Sequence, residues 1–167
     1  MVEVFPVDAE NTYQVFDWLW TSGQLSENDI RELPKYGIRT VINLSPPNSS
    51  NALRGESELV TGLGINYIQI PVKWEQPTIE QLEQFCIALR THEGRPCWVH
   101  CAKNMRVSAF LYIYRSIFLN EPEETASDPM VEIWEPNAIW KAFIDDALIQ
   151  FAKRRRPQPQ SENISPA

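Results

Sequence analysis

An α/β fold with a mainly parallel central sheet flanked by helices is what this sequence predicts, and three observations carry that prediction. Short β-rich runs recur at residues 38–44 (IRTVINL), 65–70 (INYIQI) and 97–100 (CWVH). Segments with helical apolar spacing lie between them. Strand, helix, strand order demands crossover connections, and crossovers make neighbouring strands parallel. The 167 residues suit one domain, and 43% hydrophobic residues supply a core, which excludes a wholly disordered chain. We expect that domain over residues 1–155, followed by a disordered Pro-rich tail at 156–167 (RPQPQSENISPA).

The elements follow in order. Residues 13–20 supply one or two strands. Ser26 is an N-cap with Asp29 three residues on, Ile30 and Leu33 share a face, and Gly37 terminates the helix. A weaker helix covers 51–63 and closes at Gly64. Thr78 opens a stronger one, with Gln81 completing a capping box and Ile79, Leu82, Phe85, Cys86 and Leu89 at helical spacing. Beyond His100 the chain turns and becomes helical again, with Phe110, Ile113, Tyr114 and Ile117 on one stripe. Residues 121–124 (EPEE) read as a solvated connection. A last helix starts near Pro136 and turns Ile139, Trp140, Phe143, Ala147 and Phe151 toward the core.

Charge and composition narrow the function. Fifteen basic residues against 22 acidic ones leave a net charge of −7, a poor match for nucleic-acid phosphates. The KRRR run at 153–156 complements the negative end of a helix and does not alter that reading. No apolar run reaches the roughly 18 residues of a membrane span, and the first ten residues lack a signal-peptide pattern. Three cysteines make no disulfide framework, so the expected location is the cytoplasm. Cys86, His92, Cys97, His100 and Cys101 lie close in sequence, but no Cys-x-x-Cys pair is among them, and neither a metal nor a cofactor is expected. Cys86 or Cys97 can instead be a protective thiol for Cys101.

In open α/β folds ligands gather at the carboxyl ends of strands. The run after the third β segment reads His100-Cys101-Ala102-Lys103-Asn104-Met105-Arg106-Val107-Ser108, and a helix follows. A strand thus delivers a cysteine to a loop that enters a helix N-terminus, where free amides attract anions and favour a thiolate. Arg106 adds a fork of donors for two phosphate oxygens. Ser108 can hydrogen-bond a departing thiolate, and Lys103 stands at the rim. A thiolate inside an anion cradle is what covalent phosphoryl transfer requires. His100 either orders the loop or is a satisfied core histidine.

This segment resembles the signature His-Cys-(x)5-Arg-Ser/Thr of the cysteine-based protein tyrosine and dual-specificity phosphatases. More closely it is similar to a bacterial branch of that superfamily with a shortened His-Cys-(x)4-Arg loop. Thr21-Ser22-Gly23-Gln24-Leu25-Ser26, Thr40-Val41-Ile42-Asn43-Leu44, Tyr67-Ile68-Gln69-Ile70-Pro71-Val72 and Pro77-Thr78 resemble other segments of the branch. The resemblance spans about residues 18–118 and implies a phosphotyrosine protein phosphatase-like fold. It also implies hydrolysis of a phosphorylated protein or small phosphomonoester through a phosphocysteine at Cys101, with Ala102, Lys103, Asn104, Met105 and Arg106 around the phosphate.

Two departures bear on activity. Only four residues separate Cys101 from Arg106. With the usual loop length, Asn104 takes the glycine position, for which a left-handed Asn suffices, Val107 takes the arginine position, and Arg106, one residue early, has to reach back to the phosphate. With a tighter loop, Arg106 is the arginine. The loop expected to carry an aspartic general acid, residues 71–77, contains no Asp; Glu75 beside Trp74 is its one carboxylic acid, either the general acid or an exposed glutamate. Lys73 or Trp74 can line the substrate mouth. Two alternatives to a phosphatase remain: a pseudophosphatase that binds a phosphorylated ligand, and a rhodanese-like sulfur transferase.

Overall fold

The computed structural model describes residues 7–155. The tail expected at 156–167 lies outside the described residues. Five strands form one sheet in the order β1-β2-β5-β3-β4: β1 (Tyr13–Phe16), β2 (Leu19–Ser22), β3 (Thr40–Asn43), β4 (Asn66–Gln69) and β5 (Cys97–His100). β1 and β2 make an antiparallel hairpin at one edge, and every other pairing is parallel. The fold is α/β, with the mainly parallel sheet expected.

β5 is central because it can be buried on both faces. Cys97 and Val99 pack with Ile42 in one apolar cluster, Trp98 with Val41 in the other, as the two-residue strand period requires. Helix α1 (Glu27–Glu32), its continuation as a tight 3-10 turn (Leu33–Tyr36) and α2 (Glu56–Gly62) cover the Trp98 face. Helices α3 (Ile79–Thr91), α4 (Met105–Ile117) and α7 (Ala138–Arg155) cover the other. The short helices α5 (Glu123–Ala126) and α6 (Met130–Ile133) pack on α4.

The parallel register sets the position of the site. Ser22 and Asn43 both lie opposite His100, and Gln69 lies opposite Asn43. Four strands therefore end level, and the segments that leave them meet along a single edge.

Local chemistry explains the boundaries. Ser26 Oγ accepts from Asp29 N at 3.1 Å while Ser26 N donates to Asp29 Oδ2 at 3.0 Å, a complete capping box. Thr78 Oγ1 caps Gln81 N at 3.2 Å, but that box stays half-made, because the Gln81 amide donates to Pro71 O instead. Residues 51–55 do not join α2. Gly55 is left-handed (φ 77°), and the helix starts only after it. The acidic connection at 121–124 runs into α5, where Ala126 is buried. Ile139 is 46% exposed rather than turned to the core; Trp140, Phe143, Ile144, Ala147 and Phe151 form the buried stripe of α7.

No side chain caps α4. A cap is worth about 1 kcal/mol, whereas burying each of Phe110, Ile113 and Tyr114 contributes roughly 1.5–3 kcal/mol. Packing alone holds α4 in place, so its first amides need no protein partner.

Candidate active site

β5 ends at His100, and the chain crosses from Cys101 to Asn104 before α4 begins at Met105. Asn104 is left-handed (φ 65°, ψ 10°), which turns the strand into the helix without a glycine. Its side chain is buried, with Nδ2 donating to Asn11 O at 2.8 Å and Thr21 Oγ1 at 3.1 Å.

Each carbonyl of the crossing is held from behind. Cys101 O lies 3.2 Å from His100 Nδ1. Ala102 O accepts from Gln24 N at 3.1 Å and Asn51 Nδ2 at 3.0 Å, and Lys103 O from Asn11 Nδ2 at 3.0 Å. A trans peptide sends its N–H opposite to its C=O. Outward carbonyls at 101 and 102 therefore aim the Ala102 and Lys103 amides inward. Those amides and the ones of Met105 and Arg106 have no hydrogen-bond partner among the described residues.

They face a cavity of about 280 Å³ lined by Ser49, Ser50, Trp74, Cys101, Ala102, Lys103, Met105 and Arg106. Larger hollows, about 340 Å³ beside Asp8, Glu10 and Asp29 and about 370 Å³ around Ile87, are lined by no cysteine, so chemistry rather than size identifies the site. Cys101 has no exposed surface and forms the floor.

Arg106, not Val107, reaches this cavity; Val107 points into the core. Arg106 is only 8% exposed, and its Nε has no hydrogen-bond partner. The guanidinium lies over the Trp74 ring, 5.4 Å from the centroid, and has no carboxylate partner among the described residues. Trp74 is held in turn: Trp140 Nε1 donates to its carbonyl at 2.9 Å, and Trp134 and Trp140 pack against its ring. Ser108 Oγ donates to Met105 O at 3.0 Å and accepts from Trp134 Nε1 at 3.2 Å.

Other residues singled out in the sequence sit elsewhere. Lys103 is exposed at the rim. Glu75 is exposed on the turn closed by Lys73 and Gln76, and neither it nor Lys73 lines the cavity. Cys97 is four residues up the strand from Cys101, about 13 Å in extended chain, too far for the roughly 7 Å limit of a disulfide. Burial pushes the thiols of Cys86 and Cys97 up to about 12, so both stay protonated. No three His, Cys, Asp or Glu side chains converge on a metal position among the described residues.

Sequence reasoning passed over Glu56. It is buried, its Oε2 is 2.8 Å from His100 Nε2, and Tyr67, Asn43 and Gln24 donate to it. The signal was weak: one acid at a helix start, behind a glycine. It also missed the spatial role of Gly23, where a Cβ would stand 2.9 Å from Ala102 O.

A family model describing the DSP-PTPase phosphatase fused to NAD+ kinase matches residues 7–136. The chain belongs to this phosphatase family. Among solved structures it is similar to a DUF442 protein of Shewanella putrefaciens CN-32, described as a candidate phosphatase, at 31% identity over 86% of this chain and 95% of that one (TM-score 0.76). At 14% identity it shares its fold with PTPMT1 bound to PI(5)P, over 86% of this chain and 97% of that one (TM-score 0.72). The fold also matches TpbA of P. aeruginosa bound to pTyr, at 14% identity over 85% and 90% (TM-score 0.65). No curated protein matches significantly. A cysteine-based protein tyrosine phosphatase fold accounts for the level strand ends and the loop between β5 and α4.

Proposed function

We propose that this DSP-PTPase-family chain hydrolyses phosphomonoesters through a phosphocysteine on Cys101. The observation that carries this reading is Arg106: a buried guanidinium with no carboxylate partner, beside a cysteine and four unpartnered amides, is a cradle for a dianion.

In the first step Cys101 Sγ, as thiolate, attacks phosphorus. The S–P bond forms, the ester P–O bond breaks, and the leaving oxygen takes a proton. The Ala102–Arg106 amides and the Arg106 guanidinium hold the three remaining oxygens, where negative charge gathers. Water then attacks the phosphocysteine, S–P breaks and Sγ departs as thiolate, which Ser108 stabilises by turning its hydroxyl from Met105 O toward sulfur. Glu75 gives the first proton and takes one from water in the second step, and needs a rearrangement of its turn to do so. Trp74, Ser49 and Ser50 form the walls that meet the leaving group. No metal takes part in this scheme. The substrate class is a phosphorylated protein or a small phosphomonoester; the phosphoinositide bound to PTPMT1 and the phosphotyrosine bound to TpbA are both phosphomonoesters.

The exposed position of Glu75 favours a second reading, a module that binds phosphorylated ligands without turning them over. One experiment separates the two. Hydrolysis of p-nitrophenyl phosphate is followed with EDTA and reductant, in the native protein and in Cys101→Ser. Release by the native protein that vanishes in the variant supports the enzyme. No release between pH 5 and 8, together with a melting temperature raised by phosphate or vanadate, supports the binding module.

A further inference from the structure

Behind the Cys101–Arg106 loop lies a buried hydrogen-bonded pair that the phosphocysteine scheme does not use. Glu56, the first residue of α2, and His100 are both almost fully buried. Three groups meet Glu56 Oε2: His100 Nε2 at 2.8 Å, Tyr67 OH at 2.6 Å and Asn43 Nδ2 at 3.2 Å. Gln24 Nε2 donates to Oε1. Burial would push this carboxyl up, but hydrogen bonds from His100, Tyr67 and Gln24 and the attraction of His100 outweigh it and hold the group below its ordinary value. Tyr67 is pushed up, first by burial and then by Glu56, so it keeps its proton and donates.

His100 stands between two acceptors. Nε2 faces the Glu56 carboxylate and Nδ1 faces Cys101 O. A neutral imidazole has one N–H and satisfies only one of them; the doubly protonated ring satisfies both.

We propose that Glu56 is a positioning residue for Cys101, acting through His100. Its carboxylate keeps His100 as an imidazolium whose Nδ1–H holds the Cys101 carbonyl away from the cavity. The same peptide plane then aims the Ala102 amide into the cavity, and a positive charge sits one residue behind the thiolate. Other ionisable groups face this pair from each neighbouring element. They are Glu58 on α2, Tyr67 on β4, Arg54 at the mouth of a hollow of about 310 Å³ that Glu56 also lines, and Lys103 and Arg106 beyond the loop. Among the described residues none of them is bonded to His100. The consequence for turnover rests on the phosphatase reading; the consequence for the thiol does not.

The test therefore reads the thiol directly. Iodoacetamide alkylation of Cys101 is measured by peptide mapping at pH 6 and pH 9 in the full chain, native and Glu56→Gln. The ratio of the rate at pH 6 to that at pH 9 is expected to fall about tenfold in the variant. A melting curve checks that the variant is folded. An unchanged ratio in a folded variant overturns the proposal. A second measurement needs no substitution: the ring ¹⁵N signals of His100 in the native chain at pH 7.5. Two N–H signals are expected, and one bare nitrogen overturns the proposal. A ratio that falls in Glu56→Gln, when the native protein does not hydrolyse p-nitrophenyl phosphate, leaves the positioning role standing and removes the phosphatase.

Discussion

The front and the back of the Cys101–Arg106 loop differ in how their polar groups are satisfied. At the back, Glu56 receives four donors, and the carbonyls of residues 101–103 each have a partner. At the front, Arg106 and four amides have none among the described residues. Burying a charge without a partner costs several kcal/mol, so a fold optimised for stability alone would not keep it. The contrast separates a frame that fixes positions from a surface left open for a dianion. Frame and surface should respond oppositely to substitution.

Arg106→Met is the strongest way to break that comparison. Among the described residues, removing the guanidinium takes away the only side-chain cation buried in the cavity wall. Turnover of p-nitrophenyl phosphate is expected to drop by about 10²–10³, the usual loss for a donor that meets developing charge. Stability should hold or rise, because methionine fills the site and removes an unpaired buried charge. Steady-state kinetics and a urea titration on the same preparation check both halves. A large loss of stability would show that Arg106 belongs to the frame.

Gly23→Ala probes the frame. The added Cβ would stand 2.9 Å from Ala102 O and 3.2 Å from Glu10 O and Lys103 Cα, all of them backbone atoms that cannot swing aside. The glycine is required here for space, since its φ is not positive. Overpacking of this kind costs about 1–3 kcal/mol, and pushing Ala102 O also turns the Lys103 amide away from the cavity. Both stability and turnover are expected to fall. A variant as stable and active as the native chain would show slack in the loop.

The same contrast explains what the sequence made legible. Residues that act through local pattern could be read: the Ser26 and Thr78 caps, the buried run of β5, the left-handed Asn104, and a cysteine between a strand and a helix. How Arg106 reaches the cavity depended on where α4 begins, because a single residue shifts a side chain by about 100° around a helix. Glu56, Asn51 and Asn11 lie tens of residues from the loop they support, and nothing in their own neighbourhoods ties them to it. Crossover topology brings them together, so they become visible only once the strand order is known. Ile139 failed for the opposite reason. It is one step along the helix from the buried stripe, and apolar character alone does not say which side of a boundary a residue takes.

Glu75→Gln sharpens the comparison most gently, because Glu75 belongs to neither the frame nor the cavity wall as the chain stands. If its turn closes over a bound ester, the residue supplies a proton that a poor leaving group needs and a good one does not. p-Nitrophenolate leaves easily, so little change is expected with that substrate. An alkyl phosphate should lose about a hundredfold, the low end of general-acid effects. Because Glu75 is exposed, the melting temperature should stay within the small range of surface substitutions. Equal effects on both substrates would remove Glu75 as the acid. Departure would then depend on the leaving group alone, and the enzyme would be confined to esters of acidic alcohols and phenols.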